Sequence, residues 1–370
     1  MAVPLASVGV LTDRLLMGPG PCNPYPEVVA ALGRPMLGHL DPDFLVVLDE
    51  TCDRLRSVFQ TTNALTLPIS GTGSAGMEAA FVNVVKPGDP VVIGVNGLFG
   101  ERMVDVATRC GAVVTRVDAE WGTPLDPQQL LDAHPNPAII ALVHAETSTG
   151  VRNDIAPIGA NKSDNTLLLV DCVTSIGGIE LDIDGWGVDI AYAGTQKCLG
   201  VPPGLAPLTY SDAARARILE RPQSWYLDLS QIAAYVDSGG AARRYHHTAP
   251  ISMIFGLHAG LGVVLEEGLR NAWARHEEAG RALQDGLEKR GFELIAPVTH
   301  RLPELTTVWV PAGVDDAFVR RALLERYGIE IGGGVGPMAG KAWRIGCMGH
   351  TARLRNVAAL LAALDEVVTW

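Results

Sequence analysis

The sequence predicts an α/β protein whose large domain has a mainly parallel sheet and whose smaller C-terminal domain is α+β. Through the first two thirds of the chain, near-continuous apolar segments alternate with helical patterns, as expected for parallel strands covered on both faces. After about residue 260, a long amphipathic helical stretch precedes several short strands and helices. We therefore predict an N-terminal arm at 1–16, a large domain at 17–265 and a small domain at 266–370.

The elements of the large domain are predicted from apolar runs and from the turns that end them. Segment 70–85, SGTGSAGMEAAFVNVV, places a glycine-rich turn before a helix of Ala, Met and Glu. Segment 101–112 is predicted as a second helix, because its pattern closes at a glycine. Strands are predicted where apolar, often β-branched residues run together, at 88–97, 112–119, 137–146, 166–173 and 188–194.

The C-terminal part shows helical periodicity interrupted by short apolar runs. Segment 256–291 is predicted as a long amphipathic helical stretch. Further helices are predicted around 315–328 and from about Thr351. The short runs between them, predicted as strands, are FELIAP, TTVWVPA, IEIGGG and KAWRIGCM.

Composition limits the classes of function open to the chain. Its 29 Lys and Arg against 41 Asp and Glu give a net charge of −12, which disfavours nucleic-acid binding. Six scattered cysteines without a C-x-x-C pair indicate neither a zinc site nor a disulfide framework. With no secretory signal and no run long enough to span a bilayer, a cytoplasmic protein without membrane contact is expected.

Two charged residues stand at the ends of predicted strands. Asp171 follows the apolar run LLLV, and Lys197 follows the predicted strand that ends in AYAG. Ligands of open α/β sheets bind at the carboxyl edge, where both side chains are expected. A lone Asp at such a place could equally cap the next turn. Pyridoxal phosphate needs the pair, because a lysine holds it as a Schiff base and an acid pairs with its pyridinium nitrogen.

The turn GTGS at 71–74 offers a place for the phosphate group of that cofactor. The N–H groups and hydroxyls of the first turn of a helix bind anions, which the helix dipole also favours. On its own, a G-x-G before a helix is often only a tight turn. The segment does not match the dinucleotide fingerprint, because Met77 stands where a third glycine would be.

An ordered set of motifs carries a resemblance that runs from about Met17 to Val368. The set consists of GTGSAGMEAA, NGLFGER, HAETSTGV, LLLVDCVTSIGG, AGTQKCLGVPPGLAP, SWYLDL, RRYHHTAP and WRIGCMG. It resembles the alanine–glyoxylate and serine–pyruvate (serine–glyoxylate) aminotransferases, in the class V group of fold-type I pyridoxal-phosphate enzymes. The resemblance implies a large domain with a seven-stranded, mainly parallel sheet.

The resemblance implies roles for the residues that match the motifs of the family. Lys197 would be the Schiff-base lysine and Asp171 the partner of the pyridinium nitrogen. Arg344 would bind the substrate α-carboxylate, with a backbone contact from Gly18. The other cofactor-binding residues would be Thr72, Gly73 and Ser74 at the phosphate, Gln196 as a donor, Thr147 near the ring oxygen, and Val173 and Phe99 on the two ring faces.

The segment YHHT implies a homodimer, because Tyr245 and Thr248 match residues that reach the phosphate of the neighbouring subunit. Whether two dimers join into a tetramer is left open. The same segment could be a solvated loop, and His246 and His247 could be a metal pair. Adjacent histidines in a strand point to opposite faces, which argues against joint ligation, so no metal site is predicted.

Phe99 and Arg344 could each have a purely structural role, and the sequence departs from the family pattern in two places. Phe99 could be ordinary core, and Arg344 could form a surface salt bridge. The segment PIGANKSDNT predicts a short or broken helix, where the family usually has a more regular one. Few cations are evident around the phosphate, so neutral donors and a helix N-terminus would carry most of its charge.

These residues together predict a ping-pong transaminase, in which Lys197 moves protons while Asp171 supports the ring as an electron sink. The resemblance implies a small L-amino acid, alanine or serine, and a small 2-oxo acid, glyoxylate or pyruvate. A pyridoxamine–pyruvate-type transaminase, a β-lyase or cysteine desulfurase-like enzyme, and an enzyme for a larger amine stay open. Gln196, where desulfurases commonly have His, favours amino transfer. A non-catalytic or nucleotide-binding α/β protein is the alternative without this cofactor.

Overall fold

The structure, a computed structural model, describes residues 13–236 and 242–368, so residues 1–12 of the predicted arm lie outside it. The described strands are β1 (Leu15–Leu16), β2 (Leu65–Ser70), β3 (Pro90–Val95), β4 (Val113–Asp118), β5 (Ile139–Val143), β6 (Ala145–Glu146), β7 (Val151–Arg152), β8 (Leu167–Asp171), β9 (Ile190–Tyr192), β10 (Leu205–Tyr210), β11 (Leu305–Trp309), β12 (Ile329–Glu330), β13 (Gly332–Gly333) and β14 (Ala342–Gly346). The described helices are α1 (Pro26–Leu32), α2 (Pro42–Phe59), α3 (Gly73–Val82), α4 (Leu98–Arg109), α5 (Pro127–Asp132), α6 (Ala156–Asn161), α7 (Asp212–Arg215), α8 (Leu229–Val236), α9 (Ile251–Glu267), α10 (Leu269–Glu288), α11 (Asp316–Tyr327) and α12 (Leu354–Val367).

The central sheet confirms the expected seven-stranded, mainly parallel architecture. Its strand order is β2-β10-β9-β8-β5-β3-β4, and it includes all five strands predicted for the large domain. Every residue of β5 and β8 is buried, as is typical of parallel strands covered on both faces. Only β10 runs antiparallel to its neighbours within this sheet, pairing with β2 on one side and β9 on the other.

The sequence did not predict β2 and β10. Strand β10 contains Pro207, a residue that argues against a central strand because it has no N–H to donate. In the sheet, Pro207 lies opposite Pro68 of β2, so the missing N–H groups fall at the same rung of the ladder. The carbonyl of Pro207 still accepts a hydrogen bond from the Ala193 amide at 2.8 Å.

The long helical stretch predicted at 256–291 is two helices. Helices α9 and α10 meet at an angle of 86°. Gly268 between them has a φ of 83°, a left-handed conformation that glycine adopts at little cost. Within the described residues no single helix is long and apolar enough to span a membrane, although this bent pair passes that test on combined length and composition.

The C-terminal part is built on a three-stranded antiparallel sheet of order β11-β14-β13. The segment FELIAP, predicted as a strand, makes only an isolated bridge between Leu294 and Val308. The end of the predicted arm and the first residue of the predicted large domain join this part, because β1 pairs in parallel with β12 and Met17 packs in the same apolar core. The proposed limits of the two domains stay a prediction.

Candidate active site

The candidate site lies along one edge of the central sheet, where the carboxyl ends of its parallel strands meet. At this edge, β8 ends in Asp171 and β9 leads into the link that contains Lys197. Residues that follow β2, β5 and β3 reach the same edge, namely Thr72, Gly73 and Ser74, then Thr147, then Phe99. The strand order therefore brings together residues that are far apart in the sequence.

Lys197 is 8% exposed and lies beside the chain segment that precedes α1. Its Nζ donates a hydrogen bond to the Pro19 carbonyl. A Cβ added to Gly20, whose φ is +104°, would lie 2.6 Å from Nζ, so this position requires glycine. Burial, and then the positive charge of Arg344, lower the pKa of the Lys197 amine to about 8. The amine is therefore neutral far more often than that of an ordinary lysine.

Asp171 is buried beside Lys197 and has a partner for each oxygen. Its Oδ1 accepts a hydrogen bond from the Val173 amide at 2.8 Å, and its Oδ2 accepts one from the Tyr192 hydroxyl at 2.7 Å. Burial raises the pKa of Asp171 to about 6, although both hydrogen bonds and the charge of Lys197 lower it. Near neutral pH the group is therefore mainly a carboxylate, which can pair with a protonated ring nitrogen.

The turn after β2 forms an anion-binding end on α3. Among the described residues, none accepts a hydrogen bond from the Gly73 or Ser74 amide, and the Thr72 side chain does not cap the helix. A Cβ added to Gly73 would lie 2.8 Å from Cγ2 of Val173, so a larger residue would close the turn. Two unpaired amides at the N-terminus of a helix suit a phosphate group.

Arg102 brings a positive charge to this turn. Its Nη1 donates to Ser74 Oγ at 3.1 Å, and its guanidinium carbon lies 5.1 Å from the centroid of the Phe99 ring. One cation therefore reaches this turn, and the expectation that few cations surround the phosphate stays a prediction. The sequence does contain one indication that Arg102 lies near Phe99. The two residues are three positions apart, which places both on one side of a helix.

Gln196 and Val173 follow β9 and β8 at the same sheet edge. The expectation that Gln196 donates a hydrogen bond to the cofactor stays a prediction. The Oε1 atom of Gln196 is buried and has no hydrogen-bond partner among the described residues. Such an orphaned acceptor is costly unless a bound group pairs with it. Val173 is half-buried, and its methyl groups lie against Gly73 and Gly194.

Phe99 and Thr147 lie on two segments that Glu146 joins. Phe99 is half-buried near the start of α4, and its amide donates to Oε2 of Glu146 at 3.2 Å. Thr147 follows Glu146 directly and is 2% exposed. Nothing in the local sequence marks Glu146, because its contacts depend on the pairing of distant strands.

Arg344 lies on β14, the middle strand of the C-terminal sheet, rather than at an edge. Its Nε donates to the Gly333 carbonyl at 2.8 Å, and its other guanidinium nitrogens make no hydrogen bond or ion pair with any described residue. The salt-bridge alternative is therefore not supported. Gly18 is close by, since a Cβ added to Gly346 would lie 2.1 Å from the Gly18 carbonyl oxygen.

Tyr245 and Thr248 make no hydrogen bond to the other candidate site residues within the described part of the chain. Their hydroxyls are 3.3 Å apart, and the Tyr245 ring centroid is 5.1 Å from that of His39. Tyr245 is 58% exposed, and neither residue makes a hydrogen bond to the turn 71–74 in the described chain. An exposed aromatic side chain of this kind is available to a neighbouring subunit.

The two histidines of YHHT are not in a strand, so the argument that they point to opposite faces is wrong. The Nδ1 atoms of His246 and His247 are 2.7 Å apart. The Nε2 atoms lie 3.1 Å from the Trp225 carbonyl oxygen and 3.1 Å from Ser70 Oγ, respectively. Every ring nitrogen thus has a protein partner. The described residues contain no group of three or more side chains that could hold a metal ion.

These observations test whether pyridoxal phosphate fits the site. The unpaired helix amides with Arg102 suit its phosphate. The Lys197 amine and the buried Asp171 carboxylate match its aldehyde and its ring nitrogen. The residues present therefore fit the cofactor.

Comparisons with known proteins agree with this geometry. A family model described as aminotransferase class-V matches residues 23–346. An alanine–glyoxylate aminotransferase of Callithrix jacchus is 41% identical, over 97% of this chain and 88% of its own. An (S)-ureidoglycine–glyoxylate transaminase of Bacillus subtilis is 39% identical, over 96% and 90%. The crystal structure of an alanine–glyoxylate aminotransferase from Nostoc sp. has a TM-score of 0.94 and 45% identity, covering 100% of this chain and 98% of that one.

Proposed function

Because the chain belongs to the class V aminotransferases and is a pyridoxal-phosphate-dependent transaminase, we propose that it moves the amino group of L-alanine or L-serine to glyoxylate or pyruvate. Glyoxylate is the better supported acceptor, since the alanine and (S)-ureidoglycine relatives both carry it in their names. The single observation that carries the proposal is that Lys197 and Asp171 are buried at one edge of the central sheet, with the half-buried Arg344 near enough for its charge to lower the pKa of the Lys197 amine.

The residues around the edge would hold the cofactor in one orientation. The amides of Gly73 and Ser74 and the guanidinium of Arg102 would bind its phosphate, while Asp171 would bind its ring nitrogen. Once bound, pyridoxal phosphate supplies an electron sink for the bond that breaks at the substrate α-carbon. The hydrogen bond from Tyr192 to Asp171 at 2.7 Å keeps the carboxylate in place.

Lys197 and Arg344 would perform the protein's part of the transfer. Arg344 binds the α-carboxylate of the amino donor through the guanidinium nitrogens that no described residue occupies. The neutral Lys197 amine would then take the α-proton and deliver it to a different carbon instead of restoring it to the α-carbon, while burial keeps water away from the exchange. The 2-oxo acid binds at the same arginine in the second half-reaction, and the two residues act in the reverse order.

We further propose a homodimer in which Tyr245 and Thr248 reach the active site of the neighbouring subunit. The exposure of Tyr245 (58%) and of the nearby Trp225 (61%) supports this, because exposed aromatic residues are typical of interfaces. A cytoplasmic location is part of the proposal and is supported by the scattered spacing of the six cysteines.

The positions of the cysteines argue against desulfurase chemistry, the nearest rival. All six are buried, so none is presented on an exposed loop. Cys22 is close to the site, with its Sγ 3.0 Å from the Lys197 carbonyl oxygen. Burial raises the pKa of the Cys22 thiol to about 12, which leaves almost no nucleophilic thiolate.

The test is a coupled assay in which the purified holoenzyme receives L-alanine or L-serine together with glyoxylate or pyruvate. We expect the keto acid of the donor to form, and Lys197→Ala to lose at least about three orders of magnitude in kcat. Lys86→Ala, at an exposed lysine, is the control and should keep full activity. Normal turnover by Lys197→Ala would contradict the proposal.

A second donor, (S)-ureidoglycine, is favoured by the 39% identical relative and belongs in the same assay. It shares a carboxylate for Arg344 with alanine but carries a larger polar group. A ratio of kcat/KM values for the two donors with glyoxylate decides between them. A preference for alanine supports the main proposal, and a preference for (S)-ureidoglycine replaces the donor without changing the mechanism.

A further inference from the structure

Glu146 is a fully buried carboxylate that the mechanism above does not use. Its Oε1 accepts hydrogen bonds from the Ser148 amide at 3.0 Å and the Ser148 hydroxyl at 2.6 Å. Its Oε2 accepts from the Phe99 amide at 3.2 Å and, at 3.4 Å, from the Gly100 amide. One side chain thus joins two segments that follow different strands of the central sheet.

The amides from α4 belong to its first turn, where they have no acceptor within the helix itself. Ser148 completes the cap, because its Oγ accepts from the Leu98 amide at 2.9 Å. The packing is close, since a Cβ added to Gly97 would lie 2.4 Å from Cδ of Glu146. The start of α4 is therefore fixed relative to the segment that caps it.

The carboxylate of Glu146 also acts on the charged groups of the site. Its charge raises the pKa of Arg344, against the larger effect of burial. Burial first, with a smaller contribution from Asp171, raises the pKa of Glu146 to about 7. Charges interact more strongly here than in water because the effective dielectric is lower. A negative charge near Arg344 partly offsets the attraction of that arginine for a substrate carboxylate.

We propose that Glu146 is a positioning residue of the transamination site. It sets Phe99 in place relative to Thr147, the two residues expected to contact the cofactor ring, and its negative charge weakens carboxylate binding at Arg344. This inference rests on the proposed function for the roles of those three residues.

The test uses the holoenzyme with Glu146→Gln, which keeps the size of the side chain and removes its charge. We expect the amides of residues 98–100 to exchange with deuterium about tenfold faster, because their cap is weakened. We expect kcat for L-alanine with glyoxylate to fall about tenfold through misplacement of the ring contacts. Propionate, a carboxylate without an amino group, should bind about threefold more tightly, by calorimetry.

Glu304→Gln is the matched control, because Glu304 is also fully buried but makes no hydrogen bond to α4 in the described chain. It should leave amide exchange at 98–100, kcat and propionate affinity unchanged. The proposal is overturned if Glu146→Gln changes none of the three quantities, or if both variants change them alike. If the wild type has no transaminase activity, the proposed function fails, yet the exchange and propionate measurements still decide the role of Glu146.

A second variant covers the case in which Glu146→Gln does not fold. Ser148→Ala removes one donor to Glu146 and the acceptor of the Leu98 amide, while the carboxylate charge stays. We expect faster exchange at Leu98 with unchanged propionate affinity. Unchanged exchange in this variant would refute the capping role.

Discussion

At the scale of single residues, Arg102 on α4 brings a positive charge to the proposed phosphate site at the start of α3, through its contact with Ser74. We expect Arg102→Gln to weaken cofactor binding about tenfold, since a charge-assisted contact is worth roughly 1–2 kcal/mol. Titration of the apoenzyme with pyridoxal phosphate, followed by fluorescence, measures the dissociation constant. Arg109→Gln changes an exposed arginine on α4, the helix that also carries Arg102, and serves as the control. Equal dissociation constants for the two variants would show that Arg102 does not bind the phosphate.

The depressed pKa of Lys197, about 8, predicts how the apoenzyme captures its cofactor. Only the neutral amine attacks an aldehyde, so the capture rate should rise with pH and level off above about pH 8. Arg344→Gln removes the second cause of the low pKa and should move this midpoint upwards. Stopped-flow absorbance between pH 6 and 10, roughly the range over which the amine titrates, measures both curves. A midpoint near that of an ordinary lysine would contradict the assignment.

Glu304 predicts a pH dependence of stability away from the site. Both of its carboxyl oxygens lack hydrogen-bond partners among the described residues, and burial raises its pKa from 4.5 to about 8. The folded state therefore binds a proton that the unfolded state has lost, so stability is fully present below the unfolded pKa and falls as pH rises towards 8.

Glu304→Gln should remove this dependence and stabilise the protein by about 3–4 kcal/mol at pH 8 relative to pH 5. Urea unfolding at the two pH values measures the difference in the free energy of unfolding. Glu293→Gln, at an exposed glutamate nearby, is the control. Parallel pH profiles for wild type and Glu304→Gln would refute the prediction.

Some site residues could be predicted from the sequence because their chemistry and their local pattern coincide. Asp171 and Lys197 each follow an apolar strand, and the carboxyl ends of parallel strands share an edge. Arg102 and Glu146 do not directly follow an apolar strand, so the sequence pattern does not indicate their roles. Their roles come from a contact with Ser74 and from hydrogen bonds to α4, which depend on how distant segments pack.

At the scale of elements, α10 depends on a glycine where it packs closely against the segment that precedes β11. A Cβ added to Gly280 would lie 2.3 Å from the Pro303 carbonyl oxygen. Gly280→Ala should therefore push the helix away and lower the free energy of unfolding by about 2 kcal/mol, despite the better helix propensity of alanine. Urea unfolding measures the loss. Glu278→Ala, at an exposed position of the same helix, should be nearly neutral, and equal values for both would disprove the close contact.

The elements that escaped prediction share a physical cause. Helix α9 is mainly apolar and α10 is amphipathic, so apolar residues at helical spacing continue across Gly268, and only the left-handed φ reveals the break. Strand β10 is not predicted from the sequence because it contains Pro207. The sheet tolerates this proline because Pro68 of β2 lies opposite it. Of the strands predicted correctly for the large domain, β3, β5 and β8 are apolar runs that are almost wholly buried, and such runs are visible in the sequence without any knowledge of their partners.

At the scale of the whole molecule, an active site shared between subunits makes inactive variants complementary. Lys197→Ala lacks its own amine, and Tyr245→Ala would impair the site of its neighbour. After the two are mixed and refolded together, half of the dimers would be mixed, each with one intact site, so activity should rise to about a quarter of wild type. In the control, Thr351→Ser replaces Tyr245→Ala. Thr351 is far from YHHT in the sequence, so this variant should be active without being mixed with Lys197→Ala. Activity that stays at the level of the separate variants would exclude sites shared through Tyr245.

The antiparallel strand β10 has a consequence for the lysine. Because β9 and β10 lie side by side, the link 193–204 that carries Lys197 begins and ends on the same sheet edge. The amides of Ala193 and Gly71 tie its two ends, donating to Pro207 and Gly204 at 2.8 and 2.9 Å. Such a short tether confines the amine after a substrate has displaced it, at an effective concentration of about 10⁵ M or more. A dissolved amine cannot approach that concentration, so added methylamine should restore little of the activity that Lys197→Ala loses.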